Sequence, residues 1–337
     1  MDNDKAPAEN RFDEINHIID GARTRAIKAV NSELIGMYYD VGQILSEMCA
    51  CSEYGDNVID EVANYMERNN PTVKGFNRRG LYRMMKFYDT YNDDNIAKPL
   101  LNQISWSNHL LILSGSKTDD ERRFYMELCI RENYSKRELE RQIDSAYYQR
   151  FVLSRGKQPP EIVPKGVRSR ILDTYVLEFL DLTEGYSEKN LRKAIICNLK
   201  DFILEFGKDF TFVGEEYRLQ VGGSDFFIDL LFYNRALSCL VPIELKIGKF
   251  KPEHMGQINF YLEALDRDVR KPGENPSVGL ILCASKDDAV VEYAMSRSLS
   301  PTLVADYKLR LPDKAILEKK LREIADSSAV VEDTDEE

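Results

Sequence analysis

A chain of 337 residues, 43% hydrophobic and 31% charged, is long enough for two or three domains with ordinary apolar cores. No apolar run reaches the roughly eighteen residues of a membrane span, and the start MDNDKAPAENRFDE lacks the basic opening and apolar stretch of a secretory signal. A cytoplasmic protein without a membrane partner is therefore expected, and the net charge of −11 argues against one that coats nucleic acid non-specifically.

From Phe12 to Met48, apolar residues recur at three- and four-residue steps, which predicts one long or once-broken helix whose stripe must pack on something. Helices are expected next at about Val58–Arg68, Arg78–Tyr91, Trp106–Leu113, Asp119–Glu132 and Lys136–Arg150, punctuated by turn residues such as Asn69-Asn70-Pro71. Asn77 can cap a helix that exposes Arg78, Arg79, Arg83 and Lys86 while Leu81, Met84, Met85 and Tyr88 serve the core. That pattern suits the second helix of a helix-turn-helix in contact with DNA, and equally a basic helix facing solvent or protein. Trp106 reads as a core residue. The six cysteines (Cys49, Cys51, Cys129, Cys197, Cys239, Cys283) read as buried fillers in a reducing compartment, and neither they nor the three histidines show zinc-ligand spacing.

The stretch from Ser154 to Gly166 holds three prolines and two glycines without amphipathic period, as a linker does. The expected layout is a disordered start (1–10), an all-α domain (11–152), a linker (153–168), an α/β domain (169–325) and an acidic disordered tail (326–337). In the second domain a helix from Tyr186 or Ser187 to Phe206 precedes three β-runs, Phe210–Val221, Phe226–Tyr233 and Cys239–Leu245. A helix Pro252–Leu265 and a buried strand Val278–Cys283 follow. The class is α+β overall, with an αβββαβ core after the helical domain. Gly222-Gly223 reads as a turn between strands, since no Gly-Lys-Ser/Thr accompanies it.

Asp229 is a lone carboxylate in the apolar run Phe227–Phe232, and Glu244 repeats the oddity fifteen residues on. Strand periodicity puts Glu244 and Lys246 on one face, and the short connection at Asn234–Leu237 makes the two runs an antiparallel pair that lets Asp229 face Glu244. Two such carboxylates suit Mg²⁺ or Mn²⁺, while Lys246 could orient or deprotonate a water or stabilise charge on a phosphoryl group. A surface hairpin with a Glu–Lys ion pair is the plainer alternative. Gln257 and Tyr261, four apart on the next helix, share a face and can bond phosphate or water, or form an ordinary polar edge. Lys249 and Lys251 could guide a phosphate backbone towards Lys246, or sit in a solvated loop.

Asp229, then Glu244-Leu245-Lys246, then Gln257 and Tyr261 resemble the PD-(D/E)xK nuclease superfamily, and the Gln-x-x-x-Tyr element is similar to its RecB-like branch. More closely, VGGSDFFIDLLFYNRALSCLVPIELKIGKFKPEHMGQINFYLEALD, with GFNRRGLYRMMKFYDTY and YYDVGQILSE upstream, resembles the bacterial YhcG-like family, a helical domain followed by a nuclease domain. The resemblance implies a restriction-endonuclease-like fold and a Mg²⁺- or Mn²⁺-dependent DNA nuclease acting in restriction, repair, recombination or mobile-element defence. In it Asp229 and Glu244 are metal ligands, Lys246 is catalytic, Gln257 and Tyr261 are auxiliary, and the Leu245 carbonyl is a further ligand. It also implies a glutamate from the first core helix, for which Glu205 is best placed, although Glu205 fits a solvent-facing position too. Ile228 stands where the superfamily's name has proline. Expected partners are DNA and, because cutting both strands takes two sites, a second copy or a larger nuclease or defence assembly. The competing readings are a DNA- or protein-binding component that does not cleave alone, and an RNA-directed nuclease.

Overall fold

The computed structural model describes the backbone of residues 6–51, 57–94, 97–155, 171–296, 298 and 300–332, in two compact units, Met1–Glu140 and Arg141–Glu337. Residues 1–5 of the expected disordered start lie outside the described residues, and the first helix, α1, runs from Ala6 to Ala50. In the first unit α2 (Val58–Asn69), α3 (Arg78–Tyr91), α4 (Lys98–Leu101), α5 (Trp106–Gly115) and α6 (Asp119–Glu132) follow. Capping fixes their starts: Asn77, Ser105 and Thr118 each accept a bond from the amide three residues on. The core joins Leu45 of α1, Ile59 of α2 and Leu81 and Met84 of α3, with Trp106 against Tyr38 and Phe87. At Gly42 the α1 backbone meets α3 so closely that a Cβ would collide with the Met84 carbonyl.

The helix-turn-helix expectation meets a difference here. The helices α2 and α3 lie where predicted, but residues 70–77 join them, more than the three or four residues of that motif's turn. The buried side of α3 rests on the long α1, which leaves its basic side outward.

The second unit is built on a six-stranded mixed sheet ordered β1-β6-β5-β4-β3-β2, from β1 (Thr174–Val176), β2 (Phe210–Val221), β3 (Ser224–Asn234), β4 (Cys239–Lys249), β5 (Gly279–Ser285) and β6 (Thr302–Lys308). The meander β2-β3-β4 is antiparallel, and β4, β5, β6 and β1 run parallel. Gly222 and Gly223, both at positive φ, close the β2–β3 hairpin as a two-residue turn requires. The helix expected from Ser187 to Phe206 is two, α9 (Glu188–Cys197) and α10 (Leu199–Phe206). Asn198 breaks it by turning its side-chain amide onto the Ala194 carbonyl. Helix α11 (His254–Asp268) crosses from β4 to β5, α12 (Asp288–Met295) from β5 to β6, and α13 (Lys314–Glu332) closes the chain. The acidic tail is thus helical to Glu332, with 333–337 outside the described residues. The αβββαβ core is present, extended by β1 and β6, which the sequence pattern did not reveal.

The unit boundary falls earlier than residue 152. Helix α7 (Lys136–Asp144) crosses it, and α8 (Tyr147–Arg155) belongs to the second unit. The cause is polar anchoring: Gln142 donates to the Leu204 carbonyl at 3.0 Å, Arg150 to the Thr174 carbonyl at 3.0 Å, and Arg141 and Arg150 grip Glu205. Most of the expected linker, from residue 156, lies outside the described residues. Among the cysteines only Cys129, Cys239 and Cys283 are buried; Cys49, Cys51 and Cys197 are exposed, so the filler reading holds for half of them.

Candidate active site

Strand β3 carries Asp229 between Ile228 and Leu230, both fully buried. The β3–β4 ladder runs from Asn234↔Cys239 to Leu230↔Ile243 and stops. Beyond it the strands part, and the Leu245 amide donates to Asp229 Oδ2 at 3.0 Å instead of to β3 backbone. Asp229 Oδ1 accepts from Arg192 of α9 at 2.9 Å, and Arg192 also reaches Glu216 of β2 at 2.6 Å. Glu216 sits in the register position opposite Asp229 with φ of 44°, a left-handed conformation rare for a non-glycine residue.

Glu244 and Lys246 emerge on one face of β4, with Leu245 in the core opposite. Lys246 Nζ donates to Glu244 Oε1 at 2.7 Å and stands 3.7 Å from Glu188 in the first turn of α9. The other oxygen, Glu244 Oε2, is buried and has no hydrogen-bond partner among the described residues. Burial first, and then the charge of Asp229, push the Glu244 carboxyl up to about 7, against the downward pull of Lys246. Burial alone would lower the Lys246 ammonium, but the Glu244 bond and the surrounding carboxylates outweigh it and raise its pKa. Lys246 is therefore a firmly protonated cation here.

Tyr261 of α11 is buried. Its hydroxyl accepts from Gln257 Nε2 and donates to the Phe227 carbonyl, each at 2.8 Å, which ties α11 to β3 two residues before Asp229. Burial raises its pKa, opposed by the Gln257 bond.

Glu205 stands apart from this cluster, and neither sequence reading of it matches the structure. It is wholly buried, with Oε1 taken by Arg150 at 2.6 Å and the Val176 amide at 2.7 Å, and Oε2 by Arg141 at 3.0 Å. Two arginines neutralise it and its side chain is 0% exposed, so it belongs to a closed ion-pair network and not to the Asp229–Glu244 cluster. The helix carboxylate next to Lys246 is Glu188, which sequence reasoning passed over because an acid just after a Ser cap reads as ordinary helix-end chemistry. Arg192 was missed too; its signal is the i, i+4 spacing from Glu188 that puts both on one helix face.

The basic candidates are scattered. Lys249 lies 3.5 Å from Asp287 and Lys251 3.4 Å from Glu253, all four exposed. In the helical unit Arg78 pairs with Asp60 at 3.1 Å, Arg79 and Lys86 are exposed, and Arg83 is half-buried. Among the described residues no three His, Cys, Asp or Glu side chains form a ready-made cation cage. Two carboxylates, one with an orphaned buried oxygen, still fit Mg²⁺ or Mn²⁺, which keep several waters and need few protein ligands. No described helix is long and apolar enough to cross a membrane.

Comparison with known proteins agrees with this layout. Residues 14–150 match a family model described as the DUF1016 N-terminal domain, and residues 168–322 one described as the YhcG PDDEXK nuclease domain. The chain is 33% identical over 364 residues to the Escherichia coli (strain K12) protein named "Putative nuclease YhcG", covering 95% of this chain and 94% of that one. A repair endonuclease from Pyrococcus abyssi (16% identity, TM-score 0.26) and EndoMS in its apo form (17%, 0.25) each overlay 39% of this chain and about half of their own. Those scores are too low to carry weight. The relative and the two family segments in series establish that the chain belongs to the YhcG family, with a DUF1016 N-terminal domain ahead of a nuclease-like PDDEXK domain.

Proposed function

We propose that the second unit is a Mg²⁺- or Mn²⁺-dependent DNA nuclease that hydrolyses phosphodiester bonds, in restriction, repair, recombination or mobile-element defence. One observation carries this reading: Asp229, Glu244 and Lys246 meet where the β3–β4 ladder ends, and Glu244 keeps a buried oxygen without a partner. Asp229 and Glu244 would hold the cation. The Leu245 carbonyl joins them, since a strand residue turns its N–H and C=O to the same edge and the Leu245 amide faces Asp229. Bound there, a divalent cation supplies Lewis-acid polarisation of the scissile phosphate. Lys246 Nζ, braced on Glu244, stabilises the negative charge that grows on the phosphate as water attacks. Glu188 takes the place foreseen for Glu205 as the helix carboxylate, and acts by fixing Lys246. Arg192 orients Asp229, and Gln257 and Tyr261 anchor its strand. Lys249, Lys251 and the basic face of α3 with Arg78, Arg79, Arg83 and Lys86 attract the DNA backbone.

The test incubates the full chain with supercoiled, linear duplex, single-stranded and branched DNA in Mg²⁺ or Mn²⁺, beside Asp229→Ala and Lys246→Ala. Cleavage that disappears in both variants supports the reading. No cleavage of any substrate, or cleavage that survives the substitutions, removes it, and preference for RNA over DNA corrects the substrate.

A further inference from the structure

Helix α1 carries two apolar faces, of which the first unit uses one. Ile35, Tyr38 and Gly42 turn towards the core with α3. A second stripe, rotated from the first by roughly 130° at 3.6 residues per turn, lies mostly in solvent: Phe12 is 62% exposed, Ile15 52%, Val30 60% and Ile44 57%, while Val41 at its edge is half-buried against the core. Over residues 11–30 almost every side chain is exposed, so among the described residues this half of the helix packs on nothing in its own chain. A helix left unpacked is marginal in water, and an apolar stripe of this length marks a binding surface.

The stripe identifies its own partner. From Phe12 to Ile44 the steps between successive apolar positions on this face are 3, 4, 3, 4, 4, 4, 3, 4 and 3, a series that reads the same in both directions. We infer that α1 pairs antiparallel with α1 of a second copy of this chain, about a two-fold axis at Lys28. That axis sets Phe12 against Ile44, Ile19 against Met37 and Ala26 against Val30, over about 48 Å. The spacing alternates threes and fours at both ends, as helix-pairing seams do, around three central steps of four.

The polar residues on the same face obey the same symmetry. Arg23 falls opposite Glu33 of the second copy, and Asn16 opposite Asp40, each twice. All four lie on the outward side of α1, and among the described residues neither Arg23 nor Glu33 has an ion-pair partner within the chain. A parallel pair would oppose Arg23 to Arg23 and Glu33 to Glu33. The arrangement is isologous and closes at two copies.

Sedimentation equilibrium of the full chain tests this, with circular dichroism to confirm folding. The wild type runs at twice the 38.9 kDa chain mass. Ile19→Glu, Arg23→Glu and Glu33→Arg each shift it to the single-chain mass with helicity of the core unchanged, and the double variant Arg23→Glu/Glu33→Arg restores the dimer. A wild type that stays at single-chain mass at tens of micromolar overturns the pairing. So do single charge reversals that leave the dimer intact, or a double variant that fails to restore it. Nuclease activity does not enter the readout.

Discussion

Two carboxylates of the second unit, Glu205 of α10 and Glu244 of β4, are 0% and 2% exposed, and each lies against a basic side chain. Around Glu205 every oxygen is satisfied, by two arginines and a backbone amide. Around Glu244 one oxygen meets Lys246 and the other meets nothing, while Asp229 adds repulsion. A buried charge that is fully compensated belongs to the architecture; one left short of a partner beside a second carboxylate is built for something that arrives later. The difference between these glutamates, more than either alone, separates scaffold from site.

The comparison breaks first at Glu205. Glu205→Gln leaves the buried Arg150 without its counter-charge and Arg141 with Glu178 alone, and is expected to cost about 3–5 kcal/mol of stability, read by urea melts. A variant as stable as the wild type would show that the network is ornamental. Next in size, Lys246→Ala should lower cleavage on the order of 10²–10³-fold, with a smaller loss of stability than Glu205→Gln because the Glu244 carboxyl, already pushed up to about 7, can take a proton when its cation is gone. Glu244→Gln should likewise stop cleavage while leaving stability roughly equal, because loss of the Lys246 ion pair is offset by relief of the repulsion from Asp229.

Both glutamates were visible in the sequence, but only for Glu244 were its neighbours foreseen. Asp229, Glu244 and Lys246 stand out because charge is costly in an apolar strand, and two-residue periodicity assigns faces without a structure. Helix periodicity says less about Glu205. Its neighbours Arg141 and Arg150 lie more than fifty positions away in sequence, in a segment that reads as part of the helical domain. Separation in sequence also hid Glu188 and Arg192, ordinary helix residues until β4 and β3 are brought against them. The strand β6 went unread because Asp306 interrupts its apolar pattern, and β1 because three residues carry no period. Local chemistry was legible; long-range pairing of charges was not.

His109 extends the comparison to a group that can solve its problem by staying neutral. One ring nitrogen meets the Leu101 carbonyl at 2.9 Å, the other is buried without a partner, and burial lowers its pKa to about 4. An unfolded imidazole takes up its proton near pH 6.5. Between those values the unfolded chain binds more protons, so the stabilisation is complete above pH 6.5 and declines as pH falls towards 4, by at most about 3 kcal/mol. The single tryptophan, Trp106, packs 5.3 Å from Phe87 in the same core, so its fluorescence reports melting of this unit. His109→Gln should flatten the decline in melting temperature over that range; an identical slope in both proteins would assign it to other groups.

The smallest expected effect tests whether satisfied contacts hold the unsatisfied one in place. Tyr261 bonds the Phe227 carbonyl, and Phe227 is half-exposed, so water can replace the lost hydroxyl in Tyr261→Phe and the melt should move by no more than about 1 kcal/mol. What changes is the position of Asp229, two residues further along the strand. Its tether to α11 is gone, and Mn²⁺ affinity measured by calorimetry should fall roughly tenfold, within the range seen when a ligand's supporting bond is removed. Catalytic turnover should fall with it while KM for DNA stays put, because Tyr261 acts through Asp229 and is buried away from a bound strand. Gln257 is exposed beside it, so a rise in KM on Gln257→Ala would make that amide a DNA contact and leave Tyr261 as the positioning residue.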